Sequence, residues 1–272
     1  MQDTIQDFCG QVKRYLSEMG EQAFTAAGWQ KLLGDFVRES VFLKELFTKL
    51  ITDDAFLFAR WPAMDPNEIT VHRDPGGLFS LRLYIWHPAV TYPIHSHGSW
   101  GVVTCVAGEI EERKFERLDD GTRVGHATIR EINRITLKPG DTTAVLPLND
   151  GVHQMESRTW DLPSVSLHLY GRAVRSGFIE LFDLPKETVY RVGPPKFYDR
   201  FCAIQTLSAV GEGWCRELLE VAAADKKPLM RLEALSALAK IDRERAVTRL
   251  TEEVQMAGEM REEFLKLLKS IR

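Results

Sequence analysis

The first part of the chain has hydrophobic residues at a helical period. Apolar side chains recur every three to four positions in residues 5–16, and residues 40–51 repeat this spacing. Such spacing places the apolar side chains on one face of an amphipathic helix. Pro62 and Pro66 then interrupt the pattern, because proline cannot continue a helix. We therefore predict an N-terminal helical segment over residues 1–66 that packs on the domain after it.

The pattern changes to short alternating runs from about residue 69 to residue 171, as in LFSLRLYIW and SVSLHLYG. Runs of this kind, separated by turns, predict a β-sandwich or a β-barrel. We assign this mainly β domain to residues 67–200. In residues 109–117 charged side chains alternate with apolar ones, which predicts a solvent-facing row of charges. The turn signals are DPGG (74–77), LDDG (118–121) and KPGD (138–141).

Helical spacing returns toward the end of the chain. Residues 183–200 predict an irregular arm, and the residues that follow are helical by pattern. Leu232, Leu235 and Leu238, with alanines between them, resemble one helical repeat of the HEAT kind. One such repeat cannot bury its apolar face alone. We therefore expect an all-α extension over residues 201–272 that packs on the barrel or on a second copy of the chain, with self-association as one outcome.

Composition and charge narrow the functional classes. The chain has 272 residues, of which 44% are hydrophobic and 27% charged, as is usual for a globular protein. A net charge of −4 argues against general nucleic-acid binding, which usually needs a basic surface. The sequence has no apolar run of about 18 residues or more, as a membrane helix requires. Four scattered cysteines without a CxxC pair indicate reduced thiols, so we expect a cytoplasmic protein.

Three histidines are the first candidates for chemistry. His95 and His97 lie two positions apart in a strand-like run, so their imidazoles project from the same face. Two converging imidazoles suit a divalent transition metal, although the pair alone fits two separate, hydrogen-bonded histidines equally well. His153 follows a turn later in the chain. The HxH pair, the later turns and His153 together resemble the metal-binding motifs of the cupin superfamily, and this resemblance implies that His95, His97 and His153 are metal ligands.

A second polar set lies on a later predicted strand. Ser166, His168 and Tyr170 occupy alternate positions and therefore share one face. A hydroxyl, an imidazole and a phenol in this order can form a hydrogen-bonded relay that ends at the metal. The alternative is an ordinary half-buried strand with incidental polar residues.

Together these motifs resemble the thiol dioxygenases of the cysteine dioxygenase type, in the cupin superfamily. The HxH pair, the later single histidine and the SxHxY strand carry the resemblance, which covers roughly residues 69–172, and Trp86 matches a pocket aromatic of that family. The resemblance implies a cupin-type β-barrel (jelly roll) that binds Fe(II). It also implies oxidation of a small thiol, such as cysteine or 3-mercaptopropionate, to its sulfinic acid with dioxygen. Tyr170 would donate a hydrogen bond to the substrate or to dioxygen, with His168 and Ser166 orienting the phenol.

At one place in the chain, the sequence lacks two side chains that the family pattern leads one to expect: a carboxylate ligand and a crosslinking cysteine. The carboxylate ligand of the cupin motif falls on Gly101 or Val102, which leaves a three-histidine site. Some members crosslink the relay tyrosine to a cysteine at this same place. We therefore expect Tyr170 to be uncrosslinked.

The residue that binds the substrate carboxylate also departs from the family. Cysteine-oxidising members carry an arginine where this chain has Thr70. We expect His72 to share the face of Thr70 and Arg73 to lie on the other face. Arg73 is the predicted clamp, and Tyr84 and Trp86 are predicted to shape the pocket wall. Arg82, Arg172 and Arg175 stay open as alternatives, and so does a substrate that needs no clamp, such as cysteamine.

Two other functions are compatible with a three-histidine cupin. One is a dioxygenase that acts on a carbon substrate such as a diketone, in which the SxHxY relay has no evident role. The other is a non-catalytic metal-binding sensor, in which the helical extension carries the output.

Overall fold

A computed structural model of the protein describes residues 4–19, 26–38, 41–58, 65, 67–88, 90–175, 177–193, 198–210, 213–256, 258 and 260–272. The chain groups into two compact units, Met1–Glu116 with Glu131–Ser176 and Arg117–Arg130 with Gly177–Arg272. The proline break predicted at Pro62 and Pro66 lies outside the described residues. The division at residues 66 and 200 stays a prediction, because compactness alone does not test which parts fold independently.

Helices open the first unit, as the apolar spacing predicts. They are α1 (Thr4–Met19), α2 (Ala26–Arg38), α3 (Val41–Thr52) and α4 (Asp54–Phe58). The apolar face of α1 is buried through Ile5, Phe8 and Val12. Phe8 stacks on Phe36 of α2 with the ring centroids 4.0 Å apart. Aromatic stacking therefore adds to area burial in joining the first two helices.

Strands follow along the chain. They are β1 (Glu68–Arg73), β2 (Phe79–Trp86), β3 (Ile94–His97), β4 (Gly101–Ala107), β5 (Ile110–Arg117), β6 (Ile129–Leu137), β7 (Thr142–Val145), β8 (Leu148–Ser157) and β9 (Ser164–Gly171). The first sheet has the order β1-β2-β9-β4-β7, and within the same unit the second sheet runs β3-β8-β5-β6. Two antiparallel sheets thus carry the predicted strands. Their closure into a barrel stays a prediction.

Strand alternation gives the first sheet two different faces. Leu167 and Leu169 of β9 are buried among the residues of α1, α2 and α3, and α2 packs across β4 and β7. The alternate residues Ser166, His168 and Tyr170 face away from these helices, and Tyr170 packs in a cluster with residues of the second sheet. The predicted relay residues therefore lie in the space between the two sheets.

The second unit contains a β-hairpin where the sequence predicted an irregular arm. Strands β10 (Ile179–Asp183) and β11 (Thr188–Val192) pair antiparallel along their whole length. The prediction for residues 183–200 is therefore wrong at its start. The β-branched residues of β11 favour a strand, and Pro185 lies in the tight turn between the strands instead of marking irregular chain.

The rest of the second unit is helical. The helices are α5 (Tyr198–Val210), α6 (Gly213–Ala222), α7 (Pro228–Ile241), α8 (Arg243–Gln255) and α9 (Arg261–Ile271). The helix predicted as a lone HEAT-like repeat is α7, and it packs against the other four. Leu232, Leu235 and Leu238 are fully buried there. Helices of its own unit thus cover the apolar face that the sequence left without a partner.

The helices bear on three further expectations. Helix α6 exposes Trp214, Leu218 and Val221 to solvent, and self-association through the C-terminal helices stays a prediction. Among the described residues more lie in helices than in strands, so the chain as a whole mixes both classes and only its middle is mainly β. None of the described helices combines the length and the apolar character that crossing a membrane requires.

Candidate metal centre

Two strands of the second sheet bring the three predicted histidines together. His95 and His97 lie on β3, and His153 lies on β8 directly opposite His95 in the antiparallel register. The three ring centroids are 4.6, 4.8 and 5.0 Å apart. Each ring offers a nitrogen, and these nitrogens all lie within 4.8 Å of one another. Imidazoles from distant parts of the chain therefore converge on one point.

The spacing of the ring nitrogens fits ligands of one metal ion. The Nε2 atoms of His97 and His153 are 2.9 Å apart. Two nitrogens bound at right angles, each about 2.1 Å from one ion, lie about 3.0 Å apart. The Nδ1 of His95 lies 3.0 Å from the carbonyl oxygen of Pro93. Since that nitrogen donates its proton to the carbonyl, Nε2 of His95 is left with a free lone pair.

Two of the histidines, His95 and His97, are held in the neutral form that binds metals. Burial lowers the pKa of His95 to about 3, and the nearby ring of His153 acts in the same direction. Burial and the neighbouring imidazoles also hold the pKa of His97 well below its ordinary value. Neutral imidazoles are the ligand form for iron, zinc, copper or nickel, so the donor set fits a divalent transition metal.

A buried carboxylate supports the third histidine. Glu112 of β5 has a side chain with 0% exposure, and its Oε1 accepts a hydrogen bond from Nδ1 of His153 at 2.8 Å. Its Oε2 accepts one from the hydroxyl of Thr143 at 2.6 Å. Burial by itself raises the pKa of Glu112, but the bonds from His153 and Thr143 and the charge of Lys114 hold the pKa below its ordinary value.

The solvent-facing row predicted for residues 109–117 is therefore wrong at Glu112. Ile110 and Glu112 alternate with Glu111 along β5, and both are buried. Strand alternation places Glu112 on the same face as the apolar Ile110. Alternation from Ile110 therefore predicts that Glu112 is buried, and this is the sequence signal that could have identified the residue.

The predicted relay is present and is one residue longer than expected. Ser166 Oγ lies 2.7 Å from Nε2 of His168, and Nδ1 of His168 lies 2.9 Å from the Tyr170 hydroxyl. The indole nitrogen of Trp86 donates to Ser166 Oγ at 2.8 Å. An indole N–H can only donate, so Ser166 accepts from Trp86. Two further hydrogen bonds join Ser166 to His168 and His168 to Tyr170, and their donors depend on which nitrogen of His168 carries the proton.

The relay stays uncharged and ends beside the histidine cluster. Burial holds the pKa of His168 well below its ordinary value, and burial raises the pKa of Tyr170 above its own. A neutral imidazole and a protonated phenol result. The ring of Tyr170 lies 5.0 Å from the ring of His97. The phenol therefore stands at the edge of the candidate metal centre.

The family comparison agrees with this geometry. The cysteine dioxygenase type I family matches residues 16–175, which is more than half of the chain. The chain belongs to the cysteine dioxygenase type I family. This family is part of the cupin superfamily, so the resemblance stated from the motifs is confirmed.

Solved structures show only low similarity to this cysteine dioxygenase family member. The lyase DddQ, a DMSP lyase from Ruegeria pomeroyi, is 20% identical with a TM-score of 0.27, and the match covers 37% of this chain and 41% of the lyase. An uncharacterized protein with a double-stranded β-helix domain from Klebsiella pneumoniae is 15% identical with a TM-score of 0.32, covering 47% of this chain and 94% of that one. The chain thus spans about two fifths of the lyase's length.

A glycine makes room for the relay tyrosine of this family member. A Cβ at Gly101 would lie 2.7 Å from Cδ1 of Tyr170 and 2.8 Å from its Cε1. The position at which some relatives carry the crosslinking cysteine is thus covered by the phenol ring itself. The thiol of Cys105 lies near the carbonyl oxygens of Ala107 and Gly108, and Cys105 is buried in the core between the sheets.

A β-bulge changes the faces expected on β1. Thr70 pairs with Arg82 but His72 pairs with Leu81, because the register shifts between the two. Thr70 and His72 therefore lie on opposite faces, and Arg73 lies on the face of Thr70, which corrects the expectation. Arg73 reaches Thr70 at 3.5 Å, although its side chain is 60% exposed. Its predicted role as a clamp stays a prediction.

Arg82 lies closer to the relay than Arg73 does. Its Nη1 donates to Oε2 of Glu68 at 3.1 Å, and its Nε donates to Ser80 at 3.2 Å. Its guanidinium carbon lies 5.3 Å from the centre of the Tyr170 ring. Arg175 instead reaches Ser96 at 3.4 Å. The arginine beside the phenol is therefore Arg82, which was only an alternative in the sequence.

The two aromatics predicted for the pocket wall are both buried next to the relay. The ring of Tyr84 lies 4.4 Å from the ring of His168, and its hydroxyl donates to Glu68 at 3.2 Å. Trp86 stacks on Tyr84 at 5.5 Å. The Tyr84 ring thus packs against the imidazole of His168, and the contact of either Tyr84 or Trp86 with substrate stays a prediction.

Proposed function

We propose that this protein is a thiol dioxygenase, which oxidises a small thiol to its sulfinic acid at a non-haem Fe(II) centre held by His95, His97 and His153. The observation that carries the proposal is the meeting of three imidazoles, whose ring nitrogens lie within 4.8 Å of one another, with the phenol of a buried relay, 5.0 Å from the ring of His97. A thiol RSH and one dioxygen give RSO2H, so the reaction balances without an added reductant. A cytoplasmic location, where thiols stay reduced, is part of the proposal.

The bound iron would supply coordination for the thiolate, whose pKa a cation lowers, and activation of dioxygen. The chain's own residues do the rest. Tyr170 keeps its proton at the phenol oxygen and donates it as a hydrogen bond to the reacting thiol or oxygen. Trp86 hydrogen-bonds to Ser166, Ser166 to His168, and His168 to Tyr170. We propose that this chain of bonds orients the phenol.

The substrate class follows from the charge beside the phenol. Arg82 and His97 flank the same Tyr170 ring, at 5.3 and 5.0 Å from its centre. A guanidinium binds a carboxylate through paired hydrogen bonds, and Arg82, which donates to Glu68 and Ser80, lies beside the phenol. We therefore propose a short mercapto acid as the substrate, with its sulfur at the histidines and its carboxylate at Arg82.

Oxygen consumption with a panel of substrates tests the proposed reaction. We expect the iron-loaded protein to consume dioxygen with 3-mercaptopropionate or cysteine and to form the sulfinic acid, identified by mass spectrometry. Uptake with a diketone but with no thiol would replace the proposal with a carbon-substrate dioxygenase. Bound iron without uptake on any compound of the panel would replace it with the metal-binding sensor.

A pair of arginine variants tests the substrate class. We expect Arg82→Met to raise KM for 3-mercaptopropionate at least tenfold and to leave KM for cysteamine, which has no carboxylate, nearly unchanged. The matched variant is Arg73→Met, whose side chain is largely exposed. If Arg73→Met raises KM and Arg82→Met does not, the clamp is Arg73, as the sequence alone predicted.

A further inference from the structure

Two of the three imidazoles, those of His95 and His153, differ in what holds their outer nitrogen. His95 donates from Nδ1 to the neutral carbonyl of Pro93 at 3.0 Å. His153 donates from Nδ1 to the carboxylate of Glu112 at 2.8 Å. The second partner carries a full negative charge and the first does not. His153 is therefore the stronger electron donor of the two toward anything bound at its Nε2.

We propose that Glu112 is a positioning residue that directs negative charge through His153 to the metal, and so supplies at one remove the carboxylate that the ligand set lacks. This inference rests on the proposed metal centre but not on the thiol chemistry. It assigns a role to a side chain that touches neither metal nor substrate.

The surroundings of Glu112 keep its charge directed at His153. The hydroxyl of Thr143 fixes Oε2 at 2.6 Å, which leaves Oε1 for His153. The side chain has 0% exposure, so no bulk water screens it, and charges act more strongly in such a low-dielectric interior. The one cation described at its side is Lys114, whose Nζ lies 3.7 Å from Oε2 and donates to the carbonyl of Ala144 at 2.8 Å.

The charge has a consequence for the bound ion. An imidazole that donates to a carboxylate is more basic than one that donates to a carbonyl. Added electron density stabilises Fe(III) more than Fe(II), because the more highly charged ion interacts more strongly with it. Glu112 therefore strengthens metal binding and lowers the midpoint potential of the iron.

The substitution Glu112→Gln removes the charge and keeps the shape. The amide oxygen still accepts from Nδ1 of His153, so the ring retains its orientation. We expect the affinity for Fe(II), measured anaerobically against a chromophoric chelator, to fall about 10- to 100-fold. We also expect the midpoint potential to rise.

The matched control is Glu111→Gln, the same change one residue earlier on the same strand. The carboxylate of Glu111 lies 3.5 Å from Arg134 and 3.6 Å from Arg158. Alternation turns it away from His153. We expect its affinity and midpoint potential to match those of the unsubstituted protein.

A variant of opposite sign separates charge from structural support. Lys114→Met removes the cation beside Oε2, so the carboxylate acts on His153 with less compensation and the midpoint potential falls. A purely structural role would move both variants in the same direction, and that result would overturn the inference. Equal affinities for Glu112→Gln and Glu111→Gln would overturn it as well. If the unsubstituted protein binds no iron, the proposed metal centre fails together with it.

Discussion

The first unit contains two buried regions of opposite character. Where α1, α2 and α3 meet the first sheet, most buried side chains are apolar, as at Leu81 and Leu167, and Thr104 is the polar exception on β4. Between the two sheets, Glu112, Ser166 and His168 are buried although each is polar. We call the first the helix-facing core and the second the inter-sheet interior. Burial favours the first region and, without partners, disfavours the second.

The inter-sheet interior is stable because its polar groups bond to one another. One chain of hydrogen bonds runs from Trp86 through Ser166 and His168 to Tyr170. A second joins Thr143 and His153 through Glu112. Each of these polar groups would be unfavourable if it were buried without a partner. Strand β9 contributes to both regions through alternate residues. Substitutions at neighbouring positions of one strand should therefore separate stability from chemistry.

The largest effect is expected in the inter-sheet interior at His153. His153→Ala removes one of three nitrogens and leaves Glu112 without its donor, so we expect iron affinity to fall more than 100-fold, beyond the 10- to 100-fold typical of a lost outer partner. Iron content after anaerobic reconstitution is the measurement. The control is His87→Ala, an exposed histidine of the same unit. Full iron content in His153→Ala would show that another side chain completes the site.

The sequence alone predicted those residues of the inter-sheet interior that follow a local pattern. The pairs His95 with His97 and Ser166 with His168 lie two residues apart, so strand alternation alone placed each pair on one face. Their meeting with His153 depended on the family resemblance, because the pairing of β3 with β8 brings together residues that are far apart in the chain.

The parts that were missed depend on distant partners or on backbone irregularity. Glu112 resembles a surface charge among its neighbours, and its partners Thr143 and His153 are 31 and 41 residues away. The bulge between Thr70 and His72 adds one residue to β1 and reverses every face after it. No apolar pattern in so short a strand marks such a shift. Local sequence therefore indicates alternation well and register poorly.

The next effect is expected in the helix-facing core. Leu167→Ala removes a fully buried side chain on β9, so we expect the free energy of unfolding to fall by about 2–5 kcal/mol. Denaturation of the metal-free protein measures it, and the folded variant should keep its iron affinity. The control Leu162→Ala changes an exposed leucine, where about 0.5 kcal/mol or less is expected. A loss of iron affinity in Leu167→Ala would show that the two regions are not separable.

Tyr170→Phe tests the opposite separation. The ring still packs on Gly101, but the proton that the phenol donates is lost, so we expect turnover to slow about 100-fold. Iron content should equal that of the unsubstituted protein. The control is Tyr190→Phe, which removes an exposed phenol. If Tyr170→Phe loses iron instead, Tyr170 is a ligand and its assigned role is wrong.

The smallest effect concerns the pH dependence of stability in the metal-free protein. Because burial holds the pKa of His168 well below its ordinary value, the folded state keeps this ring neutral while the unfolded state binds a proton as the pH falls below about 6.5. The unfolding free energy therefore decreases with falling pH, by up to about 1.4 kcal/mol per pH unit for this one group. His168→Asn removes that proton from the unfolded state, so its unfolding free energy should depend less steeply on pH between 6 and 5. Urea denaturation at several pH values measures the difference, with His87→Asn as a control whose ring is exposed when folded. Equal slopes in His168→Asn and in the unsubstituted protein would mean that the folded state binds a proton at His168 as readily as the unfolded state does, and the assignment of a neutral relay imidazole would then be wrong.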